Sequence, residues 1–441
     1  MYDLVITNAL VVTADAAGTV MPDGAVAVSG GRIARIGPAA EIGGDPAARG
    51  ASEVIDAGGM LLMPGLVNMH CHAGDSLFRG LVEDLPLEPW LQTVWKAEGA
   101  ILDRETVRLG ATLGFAELLL GGVTTTMDMF WYPDETVAAA RAVGMRVAAG
   151  GIFFDGRGMD RVDGPARLAE AAAFFDRFGA EEDVFPGCLP HGAYTVGPES
   201  LRAAKALADA RGGFFCTHAA ETRAERLDIE TRYGRSVIRH LDALGLLDAR
   251  TVLAHCVWLD DEEIALLAER GATVVHNPMS NLKLASGFAR VPEMLAAGVR
   301  VTLGTDGAIS GNDLDLWMAL RLAATLHRAA SLDARVVTTA QALAMVTRNA
   351  AAALGAADRL GTLERGKLAD MILVDLRRPH AVPLFDAATH LVFSTAKSDV
   401  RHVFVAGRQV VRDGALVQHD LDGTLDRVAA LAPRIAASVR A

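Results

Sequence analysis

Cysteine is scarce in this chain, with only Cys71, Cys188, Cys216 and Cys256 among 441 residues. Each lies inside or beside an apolar run, which excludes a disulfide framework and reads as reduced, buried thiol. Positive charge is also short: Lys and Arg number 42 against 54 Asp and Glu, a net charge of −12, and no basic cluster stands out. Nucleic acid and anionic membrane surfaces are therefore not expected as partners. No uninterrupted apolar run reaches membrane-spanning length and no charged-then-apolar leader opens the chain, so the protein is expected in the cytoplasm. Internal repeats and low-complexity tracts are missing as well. What remains is ordinary globular composition, 51% hydrophobic and 22% charged, in a chain long enough for a large core and more than one domain.

The rhythm of the chain changes twice. Residues 1–58 read as short strands with hairpin signals, such as Ala25-Val26-Ala27-Val28 before Ser29-Gly30-Gly31, and predict a meander. From residue 59 to 358 apolar strands alternate with helical patterns. Strands are expected at 60–68, 123–127, 146–154, 184–189, 213–217, 251–254, 272–276 and 300–304, with helices between them, for example at 105–120, 198–210 and 260–270. Eight strand-helix units fit a parallel (β/α)₈ barrel of the TIM type better than an open sheet. After a helix near 338–354 strands return in 359–441, followed by a helix at about 421–439. Neither terminal segment has strands enough to bury a sheet alone, so the two are expected to form one small β-sandwich domain beside the barrel. The last helix is expected to pack across a surface or a subunit interface.

Four short motifs carry the chemistry: His70-Cys71-His72, His218-Ala219-Ala220-Glu221, His255-Cys256 and Gly304-Thr305-Asp306-Gly307. Each follows an apolar or β-branched run, which places it at the C-terminal end of a strand, where such barrels carry their active sites. His70 and His72 are two apart on a strand and face the same way. With His218 and Asp306 they make a three-imidazole, one-carboxylate set that suits one Zn²⁺-like divalent ion with a position open for water. Glu221, three residues past His218, is placed to move a proton without ligating the ion. His255 is placed to orient the attacking water or bind substrate, and Asp306 to accept a proton as well as ligate. A two-metal site needs a bridging anionic ligand, and His191-Gly192-Ala193-Tyr194, at the end of the fourth strand, offers no lysine for one. His276 reads as structural, and Cys71, between two ligands, points away from the ion and packs.

These motifs, with Leu77-Phe78-Arg79-Gly80-Leu81, Asp84-Leu85-Pro86-Leu87, Pro190-His191, and the run His276-Asn277-Pro278-Met279-Ser280-Asn281-Leu282-Lys283-Leu284-Ala285-Ser286-Gly287, resemble the amidohydrolase superfamily in its mononuclear aminohydrolase branch. Within it the chain resembles the methylthioadenosine/S-adenosylhomocysteine deaminases over nearly its whole length. The resemblance implies that Glu98, in Trp95-Lys96-Ala97-Glu98, binds the ribose hydroxyls, for which an acceptor-only carboxylate is apt. It implies that His191 touches the purine and that Arg167 holds a substrate carboxylate. One arginine of that carboxylate clamp is missing, since Ala149-Gly150-Gly151-Ile152-Phe153-Phe154 stands where it is sought, and Phe153-Phe154 would suit an apolar substituent.

The implied activity is hydrolytic deamination of an adenine nucleoside by one divalent ion per subunit, Zn²⁺ first and Fe²⁺ second. Adenosine, 5′-deoxyadenosine, methylthioadenosine and S-adenosylhomocysteine are the candidate substrates. Catalysis falls to Glu221, His255 and Asp306. The chain lacks the Pro-Cys-x-x-Cys zinc motif of nucleobase-editing deaminases, so its scaffold differs from theirs. The rival readings are an amidohydrolase for another aminated or chlorinated heterocycle (an s-triazine, a pterin or a free base) and a barrel that only binds. Homo-oligomers are common among such barrels.

Overall fold

The computed structural model describes residues 1–440. Eight strands, Leu66–Cys71, Val123–Asp128, Arg146–Phe153, Val184–Pro190, Phe214–Ala219, Thr251–His255, Thr273–His276 and Arg300–Leu303, each pair parallel with the next. They are buried almost throughout, which is why they read as continuous apolar or β-branched runs rather than alternating ones. The ladder runs from first strand to eighth without closing. Just past the eighth strand, the amide of Asp306 donates to the His70 carbonyl at 3.0 Å. Asn68 adds a pair of bonds to Thr305: its Nδ2 donates to Oγ1 at 2.8 Å and its Oδ1 accepts the backbone N–H at 3.0 Å. Two metal-ligand motifs are thereby locked side by side. The intervening helices carry their own start and stop signals. Asp260 and Glu263 close a reciprocal cap on Asp261–Arg270, and Gly271, at φ +71°, ends that helix where an L side chain would be strained.

The two chain ends build one nine-stranded mixed sheet beside the barrel. Leu4–Val12, Val20–Ser29 and Arg32–Pro38 form the expected meander. It does not continue: Glu53–Asp56 and Leu61–Pro64 both return to pair parallel with Leu4–Val12, along its two halves. From the C-terminal part Met371–Val374 pairs antiparallel with Leu61–Pro64, and Val400–Val405, Arg408–Arg412 and Ala415–Leu416 follow in order. The single strand expected at 60–68 is therefore two. The chain crosses from the mixed sheet to the barrel at Pro64-Gly65, and a Cβ on Gly65 would lie 2.3 Å from the Thr124 side chain. The helix expected at 338–354 is likewise two, Thr339–Met345 and Arg348–Ala353. The break frees the Val346 carbonyl to accept the Val67 amide of the first barrel strand at 2.9 Å.

The terminal helix Leu421–Ser438 lies against helices Leu87–Ile101 and Arg104–Leu120. Ile435 is buried there, and Arg434 donates to the Ala100 carbonyl at 3.2 Å. No helix of the described residues is long and apolar enough to cross a membrane.

A buried ion pair ties the mixed sheet to the barrel. Arg146, opening the third barrel strand, meets Asp370 at 2.9 Å, and Asp370 also accepts the Ala406 amide at 2.7 Å. Breaking such a pair from one side leaves an uncompensated charge in the interior. Asp370→Ala is expected to cost about 3–5 kcal/mol, read as a lowered urea midpoint; an unchanged midpoint would show that Arg146 finds other partners.

Candidate active site

The four ligand atoms foreseen at three strand ends converge on one point. His218 Nε2 lies 3.2 Å from His70 Nε2 and 3.3 Å from His72 Nε2. Asp306 Oδ1 lies 3.5 Å from the first and 3.3 Å from the second of those nitrogens. Tetrahedral ligands about 2.0–2.1 Å from a Zn²⁺-sized ion sit roughly 3.3–3.4 Å apart, so these distances match the edges of one coordination sphere. His72 Nδ1 is 2.6 Å from the Met129 carbonyl and His218 Nδ1 is 2.6 Å from the His191 carbonyl. Each carbonyl takes the Nδ1 proton and leaves an Nε2 lone pair aimed at the centre. His70 Nδ1 is buried without a partner.

Electrostatics agree with that reading. Burial lowers the pKa of His70 to about 4 and takes His218 well below the usual imidazole range, so both are neutral ligands near pH 7. Burial also opposes charge on His72, but the Asp306 carboxylate lifts it to about 10. A cation must displace that proton, and its affinity therefore falls as pH drops. The cluster forms a single divalent-metal site. His255 lies at its edge and forms an overlapping set with His70 and Asp306.

The turns that present these groups are strained. Ala220, His255, Cys256 and Asp306 all have φ between +48° and +75°, a region that costs a non-glycine residue about 1–3 kcal/mol. At these positions the turns aim functional groups at the centre, and hydrogen bonds hold them there. Asp306 Oδ2 accepts Ser280 Oγ at 2.6 Å. His255 Nδ1 donates to Asn281 Oδ1 at 2.9 Å, which leaves its Nε2 facing Glu221 Oε2 at 3.6 Å and Asp306 Oδ2 at 4.0 Å. Glu221 is buried; Oε1 accepts Ser286 Oγ at 3.1 Å, and the Glu221 amide donates to Glu225 Oε2 at 2.7 Å. Burial raises the Glu221 pKa, against the pull of His255, as suits a group that must both take and give a proton.

Glu221, His255 and Asp306 open onto a cavity that Glu98 and His191 also line. Helix Leu87–Ile101 turns Leu87, Trp90, Leu91, Val94, Trp95 and Glu98 toward it, the stripe that a helical period makes from such spacing. Glu98 Oε2 accepts Trp131 Nε1 at 3.3 Å, and burial lifts its pKa to about 7. Burial lowers the His191 pKa to about 3, and its Nδ1 sits 2.9 Å from Thr195 Oγ1, so the ring is neutral. Phe153 turns into the core, while Phe154 packs its edge on Trp95, Trp131 and His191.

Arg167 is placed differently from the expectation. Its guanidinium, 2% exposed, is held by both Asp160 oxygens at 2.9 and 3.0 Å and by the carbonyls of Ile152, Phe154 and Val162 at 2.9–3.2 Å. These five bonds use all five N–H donors, and Arg167 does not line the cavity. It braces the loop after the third strand instead of offering a fork to substrate. His276 lies 5.3 Å from His327, ring to ring, outside the ligand cluster. All four cysteines are free and buried, and burial pushes the Cys71 thiol well up.

Ser280, Asn281, Ser286 and Asp75 were not singled out as functional in the sequence. The first three belong to the 276–287 run after the seventh strand, whose polar residues among apolar ones were the available signal. Asp75 carries none: it lines the cavity and accepts the Ala308 amide at 3.0 Å, and a Cβ on Gly307 would meet it at 2.0 Å.

Comparison with known proteins agrees with this arrangement. The profile described as the amidohydrolase family matches residues 61–410. A 5-methylthioadenosine/S-adenosylhomocysteine deaminase of Syntrophobacter fumaroxidans is 40% identical over 98% of both chains. A 5′-deoxyadenosine deaminase of Methanosarcina mazei is 37% identical over the full length of both. The crystal structure of an adenosine deaminase from Xanthomonas campestris with bound zinc superposes with a TM-score of 0.94, at 34% identity over 98% of both chains. With a cluster of this geometry inside a barrel of this topology, the chain belongs to the amidohydrolase family, and within it is similar to the methylthioadenosine/S-adenosylhomocysteine deaminases.

Proposed function

We propose that this protein hydrolytically deaminates an adenine nucleoside of the adenosine, 5′-deoxyadenosine or methylthioadenosine type. The observation that carries the reading is one cavity lined by His72, His218 and Asp306 of the metal cluster together with the buried carboxyl groups of Glu221 and Glu98. The relatives named above, with their nucleoside substrates, support it. His70, His72, His218 and Asp306 would hold the ion, Zn²⁺ by analogy with the Xanthomonas enzyme. When bound, the ion supplies Lewis acidity that brings the pKa of water toward neutrality.

The chain's own residues do the rest. Glu221 takes a proton from the attacking water and delivers it to the purine ring nitrogen beside the amine-bearing carbon. The water oxygen adds to that carbon and the carbon becomes tetrahedral. Asp306 then takes the proton of the new hydroxyl and passes it to the amine, the C–N bond breaks to release ammonia, and the C=O of the inosine-type product forms. His255 Nε2 and Asp306 Oδ2 face the space beside Glu221 and orient the attacking oxygen as acceptors. His191, neutral, contacts the purine, and Glu98 accepts from the ribose hydroxyls.

The test is ammonia release by the Zn²⁺-loaded protein from adenosine, 5′-deoxyadenosine, methylthioadenosine, adenine, guanine and an amino-s-triazine. Turnover confined to nucleosides supports the reading; turnover confined to free bases or the triazine would leave only the metal chemistry. The Glu98 role adds a pH dependence. Below about pH 7 its carboxyl takes up a proton, loses its charge and turns one oxygen from acceptor to donor, a poorer partner for two hydroxyls. KM for ribosides should then rise as pH falls through 7, while KM for any ribose-free substrate stays flat. A riboside KM that is level from pH 6 to 8 would remove Glu98 from ribose binding.

A further inference from the structure

The cavity is lined by four carboxyl groups, Asp75, Glu98, Glu221 and Asp306, and by no lysine or arginine. Its one cationic group is His72, whose pKa, against burial, is lifted to about 10 beside Asp306, and a divalent ion that displaces that proton is itself offset by Asp306 and Glu221.

Two neighbouring spaces could receive a substituent that extends beyond the ribose; the outer one holds no free cation, and in the other Arg104, held by Glu135 through one nitrogen and largely exposed, keeps donors to spare. Leu87, Trp90 and Leu284 line the cavity and also an outer groove, where Glu83, Asp84 and Glu88 face Lys283 alone. That ammonium is engaged by Glu83 at 3.1 Å and by the Ile309 carbonyl and Asn312 Oδ1 at 3.2 Å each, which satisfies its three donors. On the other side Ile152 separates the cavity from a pocket containing Arg104, Arg167 and Arg177. These are paired with Glu135, Asp160 and Asp134 respectively, and Arg167 has no N–H to spare. Arg157 and Arg161 are exposed and line neither space nor the cavity.

We infer that the site selects adenine nucleosides whose 5′ substituent is neutral or cationic and discriminates against those ending in a carboxylate or phosphate. The inference rests on the nucleoside reading above and sharpens it. An anionic tail would lose its hydration without gaining a donor, beside carboxylates whose repulsion grows in a low dielectric. A cationic tail meets acceptors and the aromatic side chains of Trp90 and Trp95, which line the cavity. Methylthioadenosine and 5′-deoxyadenosine therefore rank above S-adenosylhomocysteine, whose ammonium meets acceptors but whose carboxylate finds no cationic partner.

The test uses three adenosine thioethers of equal length, ending in an ammonium, a methyl or a carboxylate, turned over by the Zn²⁺-loaded enzyme at low salt and neutral pH. The carboxylate should have a kcat/KM about tenfold or more below the methyl compound, the gap should shrink as salt is added, and the ammonium should match or exceed the methyl. A carboxylate that equals or outperforms the methyl compound overturns the inference while leaving deamination intact. Silence on all three overturns the nucleoside reading and the inference with it. Arg157→Ala with Arg161→Ala should leave the ranking unchanged; a selective further loss on the carboxylate would show an arginine reading the tail and overturn the proposal.

Discussion

Glu221→Gln should lower kcat by about 10²–10⁴-fold, the range for losing a general acid–base group, with the metal content by elemental analysis unchanged. The substitution keeps size and shape, and the amide oxygen can still accept from Ser286 Oγ, as Glu221 Oε1 does at 3.1 Å. It removes only the proton exchange. Glu221 suits that task because burial raises its pKa while Ser286 and the nearby His255 keep the carboxylate accessible. Glu221 does not belong to the ligand cluster, so occupancy of the ion should not follow activity down. Wild-type turnover in this variant would remove Glu221 from the mechanism; loss of metal together with activity would make it a support of the ligand shell.

His218→Ala should abolish activity by emptying the site. His218 Nε2 stands within 3.3 Å of both other imidazole ligands, and its deletion opens one corner of the coordination sphere. Affinity for Zn²⁺ should fall by more than the roughly 10–100-fold typical of losing an outer supporting partner. The readout need not be catalytic. An ion held at 1,000 times its Kd stabilises the folded state by about 4 kcal/mol, so added Zn²⁺ should raise the melting temperature of the native protein and not of the variant. An equal rise in both would place the ion elsewhere.

The ligand residues were legible because their information is local. Each motif ends an apolar or β-branched run, and a strand end in a parallel barrel has one place to point. The period of two put His70 and His72 on one side without knowledge of any partner. The helix Leu87–Ile101 declared its inward face in the same way, through the spacing of Leu87, Trp90, Val94 and Glu98.

What went unread depended on contacts distant in the chain. An apolar run does not say which sheet it joins, so 60–68 looked like one strand until pairing with Met371–Val374 on one side and Val123–Asp128 on the other divided it. The return of Glu53–Asp56 to lie parallel with Leu4–Val12 is a crossover that hairpin signals cannot announce.

Arg167 is the clearest case at the site. A guanidinium near a predicted substrate position reads as a fork for an anion, and only the fold shows whether its donors are free. Asp160 and three carbonyls take them all. The sequence alone determined the metal chemistry and its barrel and pointed to Glu221 as the carboxylate beside the ligands, because strand period and residue type encode them directly. The tertiary structure alone decided which charges face the substrate and which are already satisfied, because that depends on partners brought together across the whole barrel.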